Sequence, residues 1–543
     1  MKEMKKTALL IIILIVIIQL KAQNTVQVIP QPDKITTSKG VFTLTGKTSI
    51  NYKGDNQTKV IAQQLAELLS RSSGFEYEVS GKINSKSSIV FILENKKRSN
   101  DESYSLSIKS KQIVISASSA HGLFNGLQTL RQLFPAAIES QNCVKTVWSI
   151  PCLKIEDAPR YSYRGLMLDV SRHFFDKKFI MKYIDMMAVY KFNTFHWHLT
   201  DDQGWRIEIK RYPQLTQKSA YRKECNGEIT GGFYTQEDIK EVVAYAAERF
   251  ITVVPEVDMP GHAVAVLASY PELSCSGGPF KVETTWGIFH DVFCAGNDKT
   301  YKFIEDVLCE VVPLFPGKYF HIGGDECMKT RWERCLKCQA KIKSEHLADE
   351  HELQSYFIKR TEKYLQGKGK RVIGWDEILE GGASKTATIM SWRGTKGGIQ
   401  AAKQGNEVIM TPSAYCYLNY YQGVEEEEPL AIKNNKFVPL QKVYTFDPTP
   451  DGFPAEQAKF ILGGQGNVWT EYIATPLEAE YMVFPRALAL SECLWSQPQN
   501  KNYLFFEQKV HAHYERMELY GINFSKSADR QSTIEKWNKE INR

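Results

Sequence analysis

The chain has 543 residues, long for one ordinary domain and suited to two. Hydrophobic residues at 43% and aromatics at 12% suffice for large packed cores. The net charge of +6 is small for this length and no basic run interleaved with aromatics follows the N-terminus, which argues against a nucleic-acid partner.

Residues 1–22 read as a secretory signal. Lys2, Lys5 and Lys6 precede an unbroken apolar run from Ala8 to Ile18, with a cleavage site after Ala22. The run is short for a spanning helix, and no Cys follows it to carry a lipid. The sequence therefore predicts export to the periplasm or cell exterior, with no stable membrane span after cleavage. Eleven cysteines then meet an oxidising compartment. Cys275 and Cys294 flank a Gly- and Pro-containing loop that they could staple, as could Cys143 and Cys152 across a shorter one. Cys335 and Cys338 form a CxxC with Cys327 upstream, yet no fourth ligand sits at zinc-site spacing. A structural role is expected for these cysteines, with no metal and no cofactor.

Residues 23–155 alternate β-rich runs with helices and predict an α+β domain. Ile89–Leu93, Tyr104–Ile108 and Gln112–Ser116 read as strands, and Thr58–Ser70 and Ala120–Leu133 as amphipathic helices. Pro151–Pro159 reads as the junction. Over residues 156–500 the texture becomes strand, loop, helix, repeated. The predicted strands are Gly165–Val170, Thr194–Leu199, Thr252–Val257, Tyr319–Ile322, Val372–Trp375, Thr388–Trp392, Glu407–Thr411 and Phe460–Gly463, with helices such as Lys177–Tyr190, His351–Gln366 and Pro476–Leu494 between them. That alternation predicts an α/β fold, a (β/α)8 TIM barrel preceded by the smaller α+β domain. Residues 501–543 read as a helical tail packed on the barrel.

Polar and aromatic residues cluster just after the predicted strands, where such a barrel places its active site. After the fourth strand, HIGGDE delivers Asp325 and Glu326 side by side behind two glycines. Adjacent carboxyls push their pKa values apart, so one can stay protonated while the other is ionised, as acid catalysis of glycoside cleavage requires. Arg172 offers a guanidinium fork suited to vicinal hydroxyls, or else a salt bridge to Asp169. Trp375, Trp392 and Trp469 follow three different strands and could wall a sugar or an acetyl methyl. His196 and His198, with Asp201 and Asp202, suggest the rival reading: a metal-dependent, amidohydrolase-like barrel enzyme. A glycan-binding barrel without catalysis is a third reading.

Seven ordered motifs, RGLMLDVSRHF, FHWHLTDDQGWRIEI, VPEVDMPGH, HIGGDE, GWDEIL, SWRG and GGQGNVWTEY, together resemble the family 20 glycoside hydrolases, the β-N-acetylhexosaminidases. The resemblance implies an exo-acting, retaining enzyme that removes terminal β-linked N-acetylglucosamine or N-acetylgalactosamine, the substrate's acetamido oxygen being the nucleophile. It implies Glu326 as acid/base, Asp325 as the group that orients the acetamide, and Tyr417 as its hydrogen-bond donor. Asp258 and His262 match the relay behind Glu326; Trp375, Trp392 and Trp469 match the acetamide pocket; Arg172, Asp201, Asn419 and Glu471 match residues that hold ring hydroxyls. Asn419 stands where some relatives carry Asp, which leaves the preference at the C4 and C6 hydroxyls open. A homodimer is compatible with these readings.

Overall fold

The computed structural model describes residues 26–82, 87–432 and 436–542. The expected signal, residues 1–22, lies outside the described residues. Eight parallel strands close into a barrel: β1 (Tyr163–Asp169), β2 (Thr194–His198), β3 (Thr252–Glu256), β4 (Tyr319–His321), β5 (Arg371–Trp375), β6 (Thr388–Ser391), β7 (Val408–Met410) and β8 (Ile461–Gly466), with β8 pairing back onto β1. All of β1, β2, β6 and β7 is buried, as strands covered on both faces require. Register matters more for the site. Asp169 pairs with His198, His198 with Glu256, and Glu256 with His321, so four titratable residues share one level at the C-terminal ends of β1 to β4.

Helices follow the strands largely where periodicity predicts them. Lys177–Val189 and Glu350–Gly367 agree with the predictions to within a residue or so. The predicted helix Pro476–Leu494 is two helices, Pro476–Val483 and Arg486–Trp495. Pro485 explains the break, since it lacks the N–H that a continuous helix would need there.

Two compact units can be distinguished. The first comprises the described residues up to Arg160 together with Val189–Lys191 and Ser491–Phe524; the second holds Tyr161–Ala188, Phe192–Leu490 and the residues from Ser525 on. The first is built on a seven-stranded mixed sheet with helices Asn56–Ser73 and Ala120–Leu133 packed on it. Ser149–Asp157 is an internal strand of this sheet, paired with Lys34–Thr43 and Tyr104–Lys109, so the expected junction at Pro151–Pro159 shifts to the residues after Asp157. The C-terminal segment also divides. Helix Tyr503–Tyr520 groups with the first unit, where Lys509 pairs with buried Glu492 at 2.9 Å and Arg516 reaches Glu139 at 3.4 Å; only the residues from Ser525 group with the barrel. Among the described residues no helix is long and apolar enough to cross a membrane.

Candidate active site

The site grows from the ends of the strands. Asp169 closes β1, and one of its oxygens accepts the N–H groups of Ser171 (2.8 Å) and Arg172 (3.1 Å). The other accepts Thr470 N–H (3.1 Å) and the Arg172 guanidinium (3.2 Å), which ties the loops after β1 and β8 together. Arg172 also donates to Gln203 (3.0 Å), pairs with Asp201 (2.9 Å) and lies 5.0 Å from the centre of the Trp469 ring. Arg172 is thus salt-bridged to Asp169 and stands against a pocket wall. Three of its five N–H donors face protein partners, leaving the rest of the fork for a ligand.

Beneath the mouth lies a buried ionic cluster centred on Glu256, the last residue of β3. Its carboxylate meets His321 Nδ1 at 2.8 Å, His196 Nε2 at 3.0 Å, His198 Nδ1, and the Trp375 indole N–H at 3.0 Å. Burial by itself would raise the Glu256 pKa, but His321, His198 and His196 outweigh it and hold the group well below the usual carboxylate range. His196 and His198 are wholly buried and turned to Glu256, so a substrate at the barrel rim would not reach them. The HxH that suggested a metal enzyme thus serves the charge network under the site.

From this cluster a chain of contacts runs upward. His198 Nε2 meets Asp201 at 2.7 Å, and His262 Nδ1 lies 3.0 Å from Asp201 and 3.1 Å from Asp202. On its other side, His262 Nε2 faces Glu326 at 3.4 Å and Asp325 at 3.7 Å. Burial disfavours a charged His262, yet Asp201 and Asp202 overcome this and raise its pKa well above that of free imidazole. A positive His262 therefore sits behind the carboxyl pair.

Why β4 ends in two glycines is now plain. Both have positive φ, +68° and +92°, and a Cβ on Gly323 would lie 1.6 Å from an Asp258 oxygen. Glu326 itself has φ of 45° and His262 of 49°, a strained region for residues with side chains, which the surrounding contacts must enforce. Asp325 is buried and one of its oxygens has no hydrogen-bond partner. Burial pushes its carboxyl up to about 7; His262 opposes that shift, while Glu326 and Glu256 reinforce it. Below it, Asp258 has neither carboxyl oxygen paired, and burial with the nearby Asp325 charge raises its pKa well above the ordinary value.

Aromatic rings form the walls. Trp392 stacks on Tyr417 at 5.9 Å, Tyr417 lies 6.4 Å from Trp469, and Trp469 5.8 Å from Trp375. The indole N–H groups of Trp375 and Trp392 donate inward, to Glu256 and to Glu377, so their rings are fixed in orientation. Asn419 is buried with both side-chain polar atoms unpartnered, and Glu471 has one such oxygen. Burying polar groups without partners costs free energy. A ligand rich in hydroxyl and amide groups would relieve that cost at Asp325, Asn419 and Glu471 together.

Every residue expected at the site thus lies on the loops at the barrel's C-terminal rim or directly beneath them. Asp201 departs from the role carried over to it. Its oxygens are taken by Arg172, His198 and His262, so it supports the site from below rather than facing ring hydroxyls. The partner of His262 is likewise the Asp201–Asp202 pair, with Asp258 instead under Asp325. Sequence reasoning passed over Glu256, His321 and Glu377 as working residues. Glu377 is pushed up to about 9 by burial and by Asp325 and Asp376; its place beside Trp375 in GWDEIL was the available signal. The CxxC pair Cys335 and Cys338 meets Cys275 and Cys294 and not the expected Cys327, the four sulfurs lying within 4.8 Å of one another.

A closed barrel whose mouth carries a carboxyl pair, an aromatic wall and unpaired polar groups defines a carbohydrate-directed hydrolase of the TIM-barrel class. The model of the family described as "Glycosyl hydrolase family 20, catalytic domain" matches residues 161–498, and that of "Glycosyl hydrolase family 20, domain 2" matches residues 25–158. The chain belongs to glycosyl hydrolase family 20. It is 46% identical over 501 residues to a β-hexosaminidase of Porphyromonas gingivalis, covering 92% of this chain and 64% of that relative's length. Among solved structures, a family 20 β-N-acetylhexosaminidase from Streptomyces coelicolor superposes with a TM-score of 0.84 at 31% identity, covering 94% of this chain and 99% of that one. A mutant Streptomyces plicatus β-hexosaminidase in complex with its product, N-acetylglucosamine, is similar to the same degree, with a TM-score of 0.84 at 32% identity and coverage of 94% and 98%.

Proposed function

We propose that the chain is an exo-acting, retaining β-N-acetylhexosaminidase that releases terminal N-acetylglucosamine or N-acetylgalactosamine from glycans or chitooligosaccharides. The observation that carries this reading is the set of unpaired buried polar atoms on Asp325, Asn419 and Glu471 inside a wall of tryptophans. In the first step Glu326, part-exposed at the mouth, gives its proton to the glycosidic oxygen while the substrate's acetamido oxygen attacks the anomeric carbon. Asp325, in the ionised form that its carboxyl, pushed up to about 7, reaches as pH rises, accepts the amide N–H and holds that oxygen in line. Its position in a dry pocket strengthens the bond to the developing oxazolinium charge. His262, positive, steadies the carboxylate that Glu326 becomes. In the second step Glu326 takes a proton from water, which opens the ring from the face the leaving group left, so configuration is retained.

Arg172, Asn419 and Glu471 bind the ring hydroxyls, and Tyr417 the acetamido oxygen. Export through the basic and apolar N-terminus places the enzyme in the periplasm or outside the cell, where terminal hexosamines occur. The test is release of hexosamine from aryl β-N-acetylglucosaminide and β-N-acetylgalactosaminide, with tight inhibition by a thiazoline shaped like the cyclised intermediate. Turnover of neither substrate, or a thiazoline that binds no better than N-acetylglucosamine, would refute the proposal.

A further inference from the structure

Beside the catalytic carboxyls is a second cluster that the hydrolytic mechanism does not use. Cys275 and Cys294 are brought together by the pairing of Ser274 with Phe293 and by a hydrogen bond from Cys294 N–H to the Leu273 carbonyl at 2.8 Å. Cys335 and Cys338 sit where helix Thr330–Arg334 gives way to helix Leu336–Ser344. The sulfurs of Cys275 and Cys338 are 3.8 Å apart, those of Cys294 and Cys335 3.7 Å, and those of Cys294 and Cys338 3.7 Å. A disulfide would bring one pair to about 2.05 Å. Four thiolates at about 2.3 Å from a tetrahedral zinc ion stand about 3.8 Å from each other, the edge of that tetrahedron. Three sulfur–sulfur distances match the edge of a metal tetrahedron, and all four sulfurs lie within 4.8 Å of one another.

The surroundings fit the same reading. Cys294 and Cys338 are fully buried, and the Gly296 N–H points at both sulfurs, a donor suited to thiolate charge. Gly296 could be nothing larger: a Cβ there would come within 2.2 Å of the Lys337 backbone and 2.4 Å of Cys338 N. The chain after Cys294 thus presses directly on the CxxC segment. Arg331 and Arg334 line the same surface cleft as Cys275 and Cys335, with Arg331 paired to Asp291 at 2.9 Å. A surface cleft of about 430 Å³ bordered by Cys275, Cys335 and His290 gives the ion a way in.

We infer that Cys275, Cys294, Cys335 and Cys338 bind one structural zinc ion, each thiol releasing its proton to solvent as its sulfur bonds the divalent cation. The ion fastens the loop 271–297 to the segment that follows Asp325 and Glu326. That loop carries Thr285, whose carbonyl accepts from Gln203 at 2.8 Å, and Trp286, whose ring lies 5.4 Å from the Arg222 guanidinium. Gln203 in turn bonds Arg172. The metal is therefore one tie in the chain of contacts that sets the pocket wall, without touching substrate.

The test is metal content, independent of activity. The full chain, purified without chelator, should hold about one zinc per molecule by elemental analysis. Cys294→Ser and Cys338→Ser should lower this at least tenfold, while Cys143→Ser and Glu326→Gln should leave it unchanged. Should the cysteine variants fail to fold, the wild-type protein grown on cobalt settles the matter through thiolate-to-cobalt charge transfer and the visible bands of a tetrahedral ion. Zinc retained in both cysteine variants, iron in place of zinc, or a cobalt protein without those bands would overturn the inference. So would an unreduced protein, denatured and alkylated, whose mass shows the four cysteines unmodified because two disulfides protect them.

Discussion

Asp325 and Glu326 are neighbours in sequence but not in surroundings: Asp325 is buried against Asp258, and Glu326 looks out of the mouth. Glu326→Gln should cost about 10²–10⁴-fold in turnover on substrates with poor leaving groups and less on nitrophenyl glycosides, which need little protonation. Equal loss on both kinds, measured side by side, would remove Glu326 as the acid. Asp325 carries a stability cost as well. Its folded pKa of about 7 lies above the ordinary 3.8, so between those values the native state holds a proton that the unfolded chain has lost. Stability from this group is full below about pH 4 and declines as pH rises toward 7. Asp325→Asn, neutral at every pH, should therefore be more stable than wild type at pH 8 by about 1–3 kcal/mol and nearly equal at pH 4.5, while losing most activity. Denaturant melts at the two pH values decide this, and a variant less stable at pH 8 would contradict it.

At the scale of elements, the turn after β4 is the tightest constraint. Gly323→Ala would force a positive φ on alanine and drive its methyl into Asp258, with an expected loss of about 2–4 kcal/mol in denaturant unfolding. Wild-type stability in that variant would mean the Gly323–Asp258 contact is not rigid. The barrel strands were legible in the sequence because each is a short apolar run ending in polar residues, and the glycines of HIGGDE announce a sharp turn. The Glu256 cluster was not legible. His198, Glu256 and His321 lie far apart in the chain, and only the register of β2, β3 and β4 puts them on one level, with His196 two residues earlier on β2 reaching Glu256 from below. Pairwise spacing likewise exposed the CxxC but not its partners, which arrive from the preceding loop. Asp201 was misplaced for a related reason: a motif names the residue but does not say which way its carboxylate turns.

At the scale of the whole chain, the helix Tyr503–Tyr520 reads in the sequence as part of a helical tail on the barrel, and nothing local says which unit it joins. The decision rests on buried charges. Arg516 donates to the carbonyls of Gln132 (2.6 Å) and Phe134, which close the helix Ala120–Leu133, and its cation faces Glu139. Arg516→Ala should destabilise the protein by about 1–3 kcal/mol, since it strands the buried carbonyls of Gln132 and Phe134 while Glu139 keeps its pairing with Arg131, with kcat/KM unchanged in the surviving folded fraction. A loss of activity without loss of stability would mean the helix acts on the site.

In the proposed mechanism the substrate, and not the protein, supplies the nucleophile. Asp325 and Glu326 share His262, and Asp325, buried in the pocket, acts by positioning the acetamide. The most direct measurement is the ratio of kcat/KM for the aryl β-N-acetylglucosaminide to that for the matching β-glucoside, which lacks only the acetamide. Substrate assistance predicts a ratio of at least about 10⁴, because the intramolecular attack is lost altogether. A glucoside hydrolysed within about tenfold of the acetamido substrate would show an enzymic nucleophile and contradict the mechanism.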